Sequence, residues 1–160
     1  MGEQDFLTEI GPAGLHSRIK RLCDNLLYST RDFYKAVGAD IEPNWHLVFL
    51  LLQKHQTLTI TEIAERLQLS HPAVVKIIRN MRQKGYVQAE TDLTDSRKQS
   101  LTLTEKAKST FEEFEKYWDA GVLTTLQMLE DNPSFLEALT KLEKQISRKS
   151  YKDRTLENLL

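Results

Sequence analysis

Apolar residues recur along most of the chain at helical spacing. Leu15, Ile19, Leu22 and Leu26 fall at i, i+4, i+7 and i+11, one face of a helix from Gly14 to about Val37, and Gly38 stops it. A second helix opens near Glu42-Pro43-Asn44, because proline is accepted in a first turn, and runs towards His55. Its Trp45 to Leu52 block is apolar nearly all round, the pattern of a helix buried in the middle of a domain. Two shorter helices, Thr61 to Leu67 and His71 to Lys84, are joined by the tight Gln68-Leu69-Ser70 connection and have helix-turn-helix spacing.

After Gly85 the period changes. Tyr86 to Glu90 and Ser100 to Leu103 read as short strands, and the polar stretch Asp92 to Gln99 between them reads as a hairpin loop. Helix resumes after Thr104, a natural N-cap, with Glu105 placing negative charge on the first turn. Ala107, Phe111, Phe114 and Trp118 form a stripe that Leu129 closes. Asn132-Pro133 breaks it, and a last helix carries Phe135, Leu139, Leu142 and Ile146. The expected fold is mostly α with a small β-hairpin wing. Its parts are an N-terminal dimerisation helix over 1–40, a winged helix-turn-helix unit over 41–104, C-terminal dimerisation helices over 105–147, and a polar tail over 148–160. Long terminal helices with unpartnered apolar stripes point to association, and a symmetric dimer is the simplest closed solution.

Composition fits such a protein. Of 160 residues, 40% are hydrophobic and 28% charged, which suits a folded chain with a real core. The longest apolar run, Leu47 to Leu52, is far shorter than the roughly 20 residues of a membrane span, and Met1 to Ile10 lacks the pattern of a signal peptide. A single cysteine, Cys23, fits a reducing, cytoplasmic setting. The net charge of −1 argues against indiscriminate coating of nucleic acid. That sum hides a segregation of charge. From His71 to Ala89 there are four bases and no acid, whereas Glu105 to Asp131 carries three bases against seven acids.

The basic stretch gives the candidate chemistry. With about 100° per residue, Val74, Ile77, Ile78 and Met81 share the core face of their helix. The opposite face centres on Pro72, Lys76, Arg79 and Gln83, with Val75 and Arg82 on one flank. Ser70 can cap this helix. His71, Pro72, Ala73, Val75 and Lys76 are then placed to meet base edges in a major groove, while basic side chains such as Arg79 neutralise phosphates. The loop Asp95-Ser96-Arg97-Lys98 puts a guanidinium and an ammonium on a projection suited to a minor groove, with Asp95 positioned to hold Arg97.

The chain resembles the MarR family of bacterial winged-helix regulators. The resemblance rests on Leu58 to Leu67, on Leu69-Ser70-His71-Pro72-Ala73-Val74-Val75, on Lys84-Gly85-Tyr86-Val87, and on Asp95-Ser96-Arg97 followed by Leu101-Thr102-Leu103-Thr104-Glu105. It implies a homodimer on a pseudo-palindromic operator in double-stranded DNA. The helix from His71 would enter successive major grooves and the wing at Arg97 the flanking minor grooves. It further implies a transcriptional regulator, most often a repressor, modulated by a small effector. Two positions depart from the family pattern. Gln68 stands where the turn often has Gly, so a left-handed residue there carries strain, and Ala107 stands where Gly commonly follows the Leu-Thr pair.

Other chemistry is thinly represented. The four histidines, His16, His46, His55 and His71, form no close ligand pair, and no nucleophile-base pair or phosphate-binding loop is present, so neither a metal, a cofactor nor catalysis is expected. Leu22-Cys23 to Thr30 resembles the first helix of the family's organic-hydroperoxide-sensing branch. Here Cys23 lies five residues before Tyr28 instead of four, and Asp24 beside it discourages a thiolate. A partly buried, inert Cys23 is therefore expected, with a thiol-based peroxide sensor as the alternative. Tyr28, Phe33, Tyr34, Trp45, Tyr117 and Trp118 are either packing residues or a lining for an aromatic or phenolic effector. A winged-helix protein-interaction module without DNA binding is a further alternative, against which the basic helix and the Asp95/Arg97 pair speak.

Overall fold

The structure is a computed structural model and describes residues 5–91 and 99–159. These pack as two compact units, one through Phe114 and one from Glu115 onward.

In the first unit a short helix α1 (Phe6–Glu9) and a 3₁₀ turn (Gly11–Gly14) precede the long helix α2 (Leu15–Ala36). The Asp5 side chain accepts from the Leu7 N–H at the start of α1, and its two oxygens take both terminal nitrogens of Arg21 on α2. The guanidinium holds the Asp5 carboxyl well below the usual carboxylate range. After α2 come α3 (Trp45–His55), α4 (Ile60–Leu67) and α5 (His71–Gln83), then the hairpin strands β1 (Val87–Thr91) and β2 (Gln99–Leu103), and α6 (Glu105–Met128). The predicted helices and strands are found, with ends within a few residues of their expected positions.

The core lies between α3, α4, α5, the hairpin and the first turns of α6. Val48, Phe49 and Leu52 of α3, Ile63 of α4, Val74, Ile78 and Met81 of α5, and Leu101 of β2 are all almost wholly buried. Each fully buried side chain of this size contributes about 1.5–3 kcal/mol. Tyr86 sits edge-on to Trp45, Phe49 and Phe114, with ring centroids 6.0, 5.4 and 5.8 Å away. Burial among these rings pushes its phenol above the ordinary tyrosine range. The α3 helix is buried through Trp45, Val48, Phe49 and Leu52, but Leu50 is exposed, so it is less enclosed than its apolar run suggests.

The hairpin is antiparallel, pairing Val87 with Leu103 and Ala89 with Leu101. Leu101 and Leu103 turn inward while Ser100 and Thr102 are half-exposed, the alternation of a half-buried strand. Leu58, in the connection between α3 and α4, adds a rung by exchanging both backbone hydrogen bonds with Leu101. The root of the wing is thereby fastened to the helix-turn-helix.

The second unit contains the rest of α6, then α7 (Ser134–Arg148) and α8 (Tyr151–Glu157). The region expected to be a polar tail is helical: Ser150 caps α8, and Arg154 donates back to the carbonyls of Lys149 and Gln145 at the end of α7. The turn after α6 begins at Leu129, ahead of Asn132-Pro133, and carries Glu130 and Asp131 at positive φ.

Both units expose apolar side chains. On α2, Leu15, Ile19, Leu22 and Leu26 are each 42–45% exposed. Val122, Leu123 and Leu126 of α6 and Phe135, Leu136 and Ile146 of α7 are likewise exposed. No described helix is long and apolar enough to cross a membrane.

Candidate nucleic-acid interface

Helix α4 begins with a reciprocal cap. Thr59 Oγ1 accepts from the Glu62 N–H at 3.2 Å, and the Glu62 carboxylate accepts from the Thr59 N–H at 2.7 Å. These bonds hold the Glu62 carboxyl below its ordinary value. The helix ends at Gln68, whose φ of 52° and ψ of 37° place a non-glycine residue in the left-handed region. The Leu69 N–H reaches back to the Ala64 carbonyl at 3.0 Å and closes the turn. The strain expected at Gln68 is there, costing about 1 kcal/mol.

Ser70 then turns the chain with extended backbone, and its Oγ accepts from the Ala73 N–H at 3.4 Å. Pro72 occupies the first turn, where its missing N–H sacrifices no intrahelical bond. Val74, Ile78 and Met81 are at most 2% exposed and Ile77 is half-buried, which fixes the rotation of α5 about its axis. His71, Pro72, Val75, Lys76, Arg79, Arg82 and Gln83 are consequently exposed. Ala73 is half-buried, so it contributes less surface than its neighbours. No acid lies in the first turn, leaving the positive end of the helix dipole uncompensated.

The other end of α5 is closed by a Schellman motif. The Tyr86 N–H donates to the Met81 carbonyl and the Gly85 N–H to the Arg82 carbonyl, both at 2.9 Å. Gly85, at φ 75°, occupies the left-handed position the motif requires. Lys84 donates to both carboxylate oxygens of Asp40, at 2.8 and 2.7 Å, so part of the charge counted on this stretch is locally neutralised. That pair borders an open cleft of about 340 Å³, lined also by Ile41, Glu42, Trp45, Asn80 and Gln83.

The structure thus brings Ser70, His71, Pro72, Ala73, Val75, Lys76 and Arg79 together on one helix. Asp95, Arg97 and Lys98 lie outside the described residues. Cys23 differs from expectation: it lies on the flank of the apolar stripe of α2 and is exposed among the described residues. Of the aromatic residues, Tyr34 and Trp45 are buried, Tyr117 and Trp118 half-buried, and Tyr28 and Phe33 exposed. Among the described residues, no group of three or more His, Cys, Asp or Glu could hold a metal ion. The sequence reading missed Asp40 and Lys106. Asp40 is 44 residues from its partner, beyond any local pattern. Lys106 donates to the Lys84 carbonyl at 2.7 Å, a role that nothing in its own helix announces.

Both the segment and the fold have counterparts among known proteins. Residues 39–98 match the model of the MarR family. The fold is similar to that of MepR from S. aureus in a DNA complex, at a TM-score of 0.71 and 22% identity over 81% of this chain and 96% of that one. It is also similar to a cysteine-to-serine mutant of MarR from E. coli complexed with operator DNA, at a TM-score of 0.66 and 17% identity over 89% and 99% of the two chains. The adhesin competence repressor AdcR from Streptococcus pyogenes gives a TM-score of 0.52 and 25% identity over 81% and 95%. No curated protein sequence matches. The family match begins in the loop before α3, takes in the helix-turn-helix and β1 and ends just before β2, so residues 39–98 carry the likeness to the MarR family of winged-helix transcriptional regulators, and the fold of the chain is that of MepR and MarR.

Proposed function

We propose that the protein is a repressor that binds a pseudo-palindromic operator as a homodimer. The observation that carries this reading is the fixed rotation of α5. With Val74, Ile78 and Met81 buried, Pro72, Val75, Lys76 and Arg79 lie on the exposed side of one capped helix. His71 and Lys76 can reach purine acceptors in a major groove, Pro72, Ala73 and Val75 can contact thymine methyl groups, and Arg79 can pair with phosphate. The wing residues Asp95, Arg97 and Lys98 supply the minor-groove contact in this scheme. The exposed apolar positions of α2 and α7 support dimerisation, and one similar protein is itself named a repressor.

A small aromatic or phenolic effector would act by changing the separation of the two α5 helices, so that they no longer match half-sites one turn apart. The test is a footprint on the DNA beside the protein's own gene, followed by the salt dependence of binding with Lys76 and Arg97 replaced in turn by Ala. Protection of a symmetric site, and a salt slope shallower by about one for each variant, is the expected result. Equal affinity for every duplex would count against a specific regulator.

A further inference from the structure

The last turn of α5 is gripped from outside by the start of α6. The Schellman motif satisfies the carbonyls of Met81 and Arg82 from within the chain turn itself. The next carbonyls need donors from elsewhere. The Lys84 carbonyl accepts from Lys106 Nζ at 2.7 Å, that of Gly85 from Thr104 Oγ1 at 2.6 Å, and that of Tyr86 from the Thr104 N–H at 3.1 Å. Three successive carbonyls are thus taken by the first residues around the α6 N-terminus. The Lys106 ammonium also stands 4.2 Å from the centroid of the Tyr86 ring, in cation-π contact. Tyr86 is only 3% exposed and wedged among Trp45, Phe49 and Phe114, so the ring under this ammonium is fixed in the core.

We propose that Lys106 is a positioning residue for the recognition helix. Held at once by a carbonyl and by a ring face, its ammonium is a strut of set length between α6 and the end of α5. It also complements the negative end of the α5 dipole. The strut fixes the tilt of α5, and with it the register in which His71, Val75 and Lys76 meet base edges. Directed hydrogen bonds to bases weaken quickly when their angles change, whereas attraction to phosphates does not. Loss of the strut therefore appears as lost sequence selectivity. This inference rests on the operator reading above.

Two variants test it. Lys106→Met keeps the reach of the side chain and removes the ammonium; Lys106→Arg keeps a cation that can donate and stack. The probes are a duplex enriched by the wild-type protein from a random-sequence pool and a scrambled duplex of equal length, at one salt concentration. K106M is expected to bind the enriched duplex about tenfold more weakly, the worth of one good base contact, while its affinity for the scrambled duplex stays within about twofold. K106R recovers most of the loss. Equal losses on both duplexes, no loss on either, or a K106R variant as weak as K106M would each overturn the proposal. A wild-type protein that enriches no sequence defeats the operator reading, and this proposal with it, so the first step of the experiment separates the two failures.

Discussion

Asp40, in the loop after α2, receives two hydrogen bonds from the ammonium of Lys84 at the end of α5. Both side chains are about half-exposed, so the pair adds little to stability, less than about 1 kcal/mol. Its larger effect is on charge: it sets a carboxylate against the Lys84 ammonium. Asp40→Asn frees that ammonium. The expected outcome is a slope of log Kd against log salt that steepens by about one for a random-sequence duplex. An unchanged slope would show that Lys84 lies out of reach of DNA whatever Asp40 does.

Thr59 and Glu62 give a prediction in pH. The Glu62 carboxylate is stabilised by the backbone N–H and the hydroxyl of Thr59, which holds its folded value below that of the unfolded chain. A depressed carboxyl contributes stability that is present above its unfolded value, about 4.3, and lost as pH falls through the lower folded value. Glu62→Gln retains a neutral acceptor for the cap. Wild type should be the more stable at neutral pH, and the difference in thermal midpoint should shrink as pH falls below the unfolded value of about 4.3. A difference that persists to the acid limit would mean that the carboxylate charge contributes nothing to the cap.

Where the determinants were local, the sequence showed them. The rotation of α5 follows from four apolar residues at helical spacing, and the Thr104 cap, the Gly38 stop and the left-handed Gln68 follow from residue type and place. Helix α8 was hidden because its cue is one serine and its apolar residues are few, while the bonds that hold it come from Arg154 to the end of another helix. Cys23 was misjudged because a helical wheel tells which face is apolar but not which flank a neighbour covers. The Asp40–Lys84 and Lys106–Lys84 contacts lie beyond any periodic pattern, since each joins elements far apart in sequence. Both meet at Lys84, where α5 ends.

Gly14 is needed for closeness rather than for flexibility. Its backbone is ordinary right-handed helix, φ −81° and ψ −5°, where alanine would usually be favoured. A Cβ there would stand 2.1 Å from the backbone oxygen of Leu7, which forbids it unless α1 moves. Gly14→Ala should therefore detach α1 from α2 and break the Asp5–Arg21 pair. Because α1 has no buried residue, the global thermal midpoint should change by only a few degrees. Hydrogen exchange is the measurement: amides of 6–10 should lose protection while those of α3 and α5 keep theirs. Retained protection over 6–10 would mean that the backbone at Gly14 can yield.

The stripe on α2 gives the last prediction. Leu15, Ile19, Leu22 and Leu26 are evenly exposed at 42–45%, and four large apolar side chains in one row are more than a solvated helix ordinarily presents. In a homodimer they would be buried, and a carboxylate placed among them would have to be desolvated without a partner. Ile19→Glu should therefore sediment as a monomer at concentrations where wild type is a dimer. The core around Phe49 shares no residue with the stripe, so the variant should keep its helical circular dichroism. Lys35→Glu, on the same helix but outside the row, should remain dimeric and serves as the control for added negative charge. DNA binding should fall with dimerisation, because each monomer holds only one α5 and reads only one half-site. Ile19→Glu that sediments as a dimer would place the two-fold contact elsewhere on the chain, and a monomer that still protects both half-sites would remove the requirement for pairing.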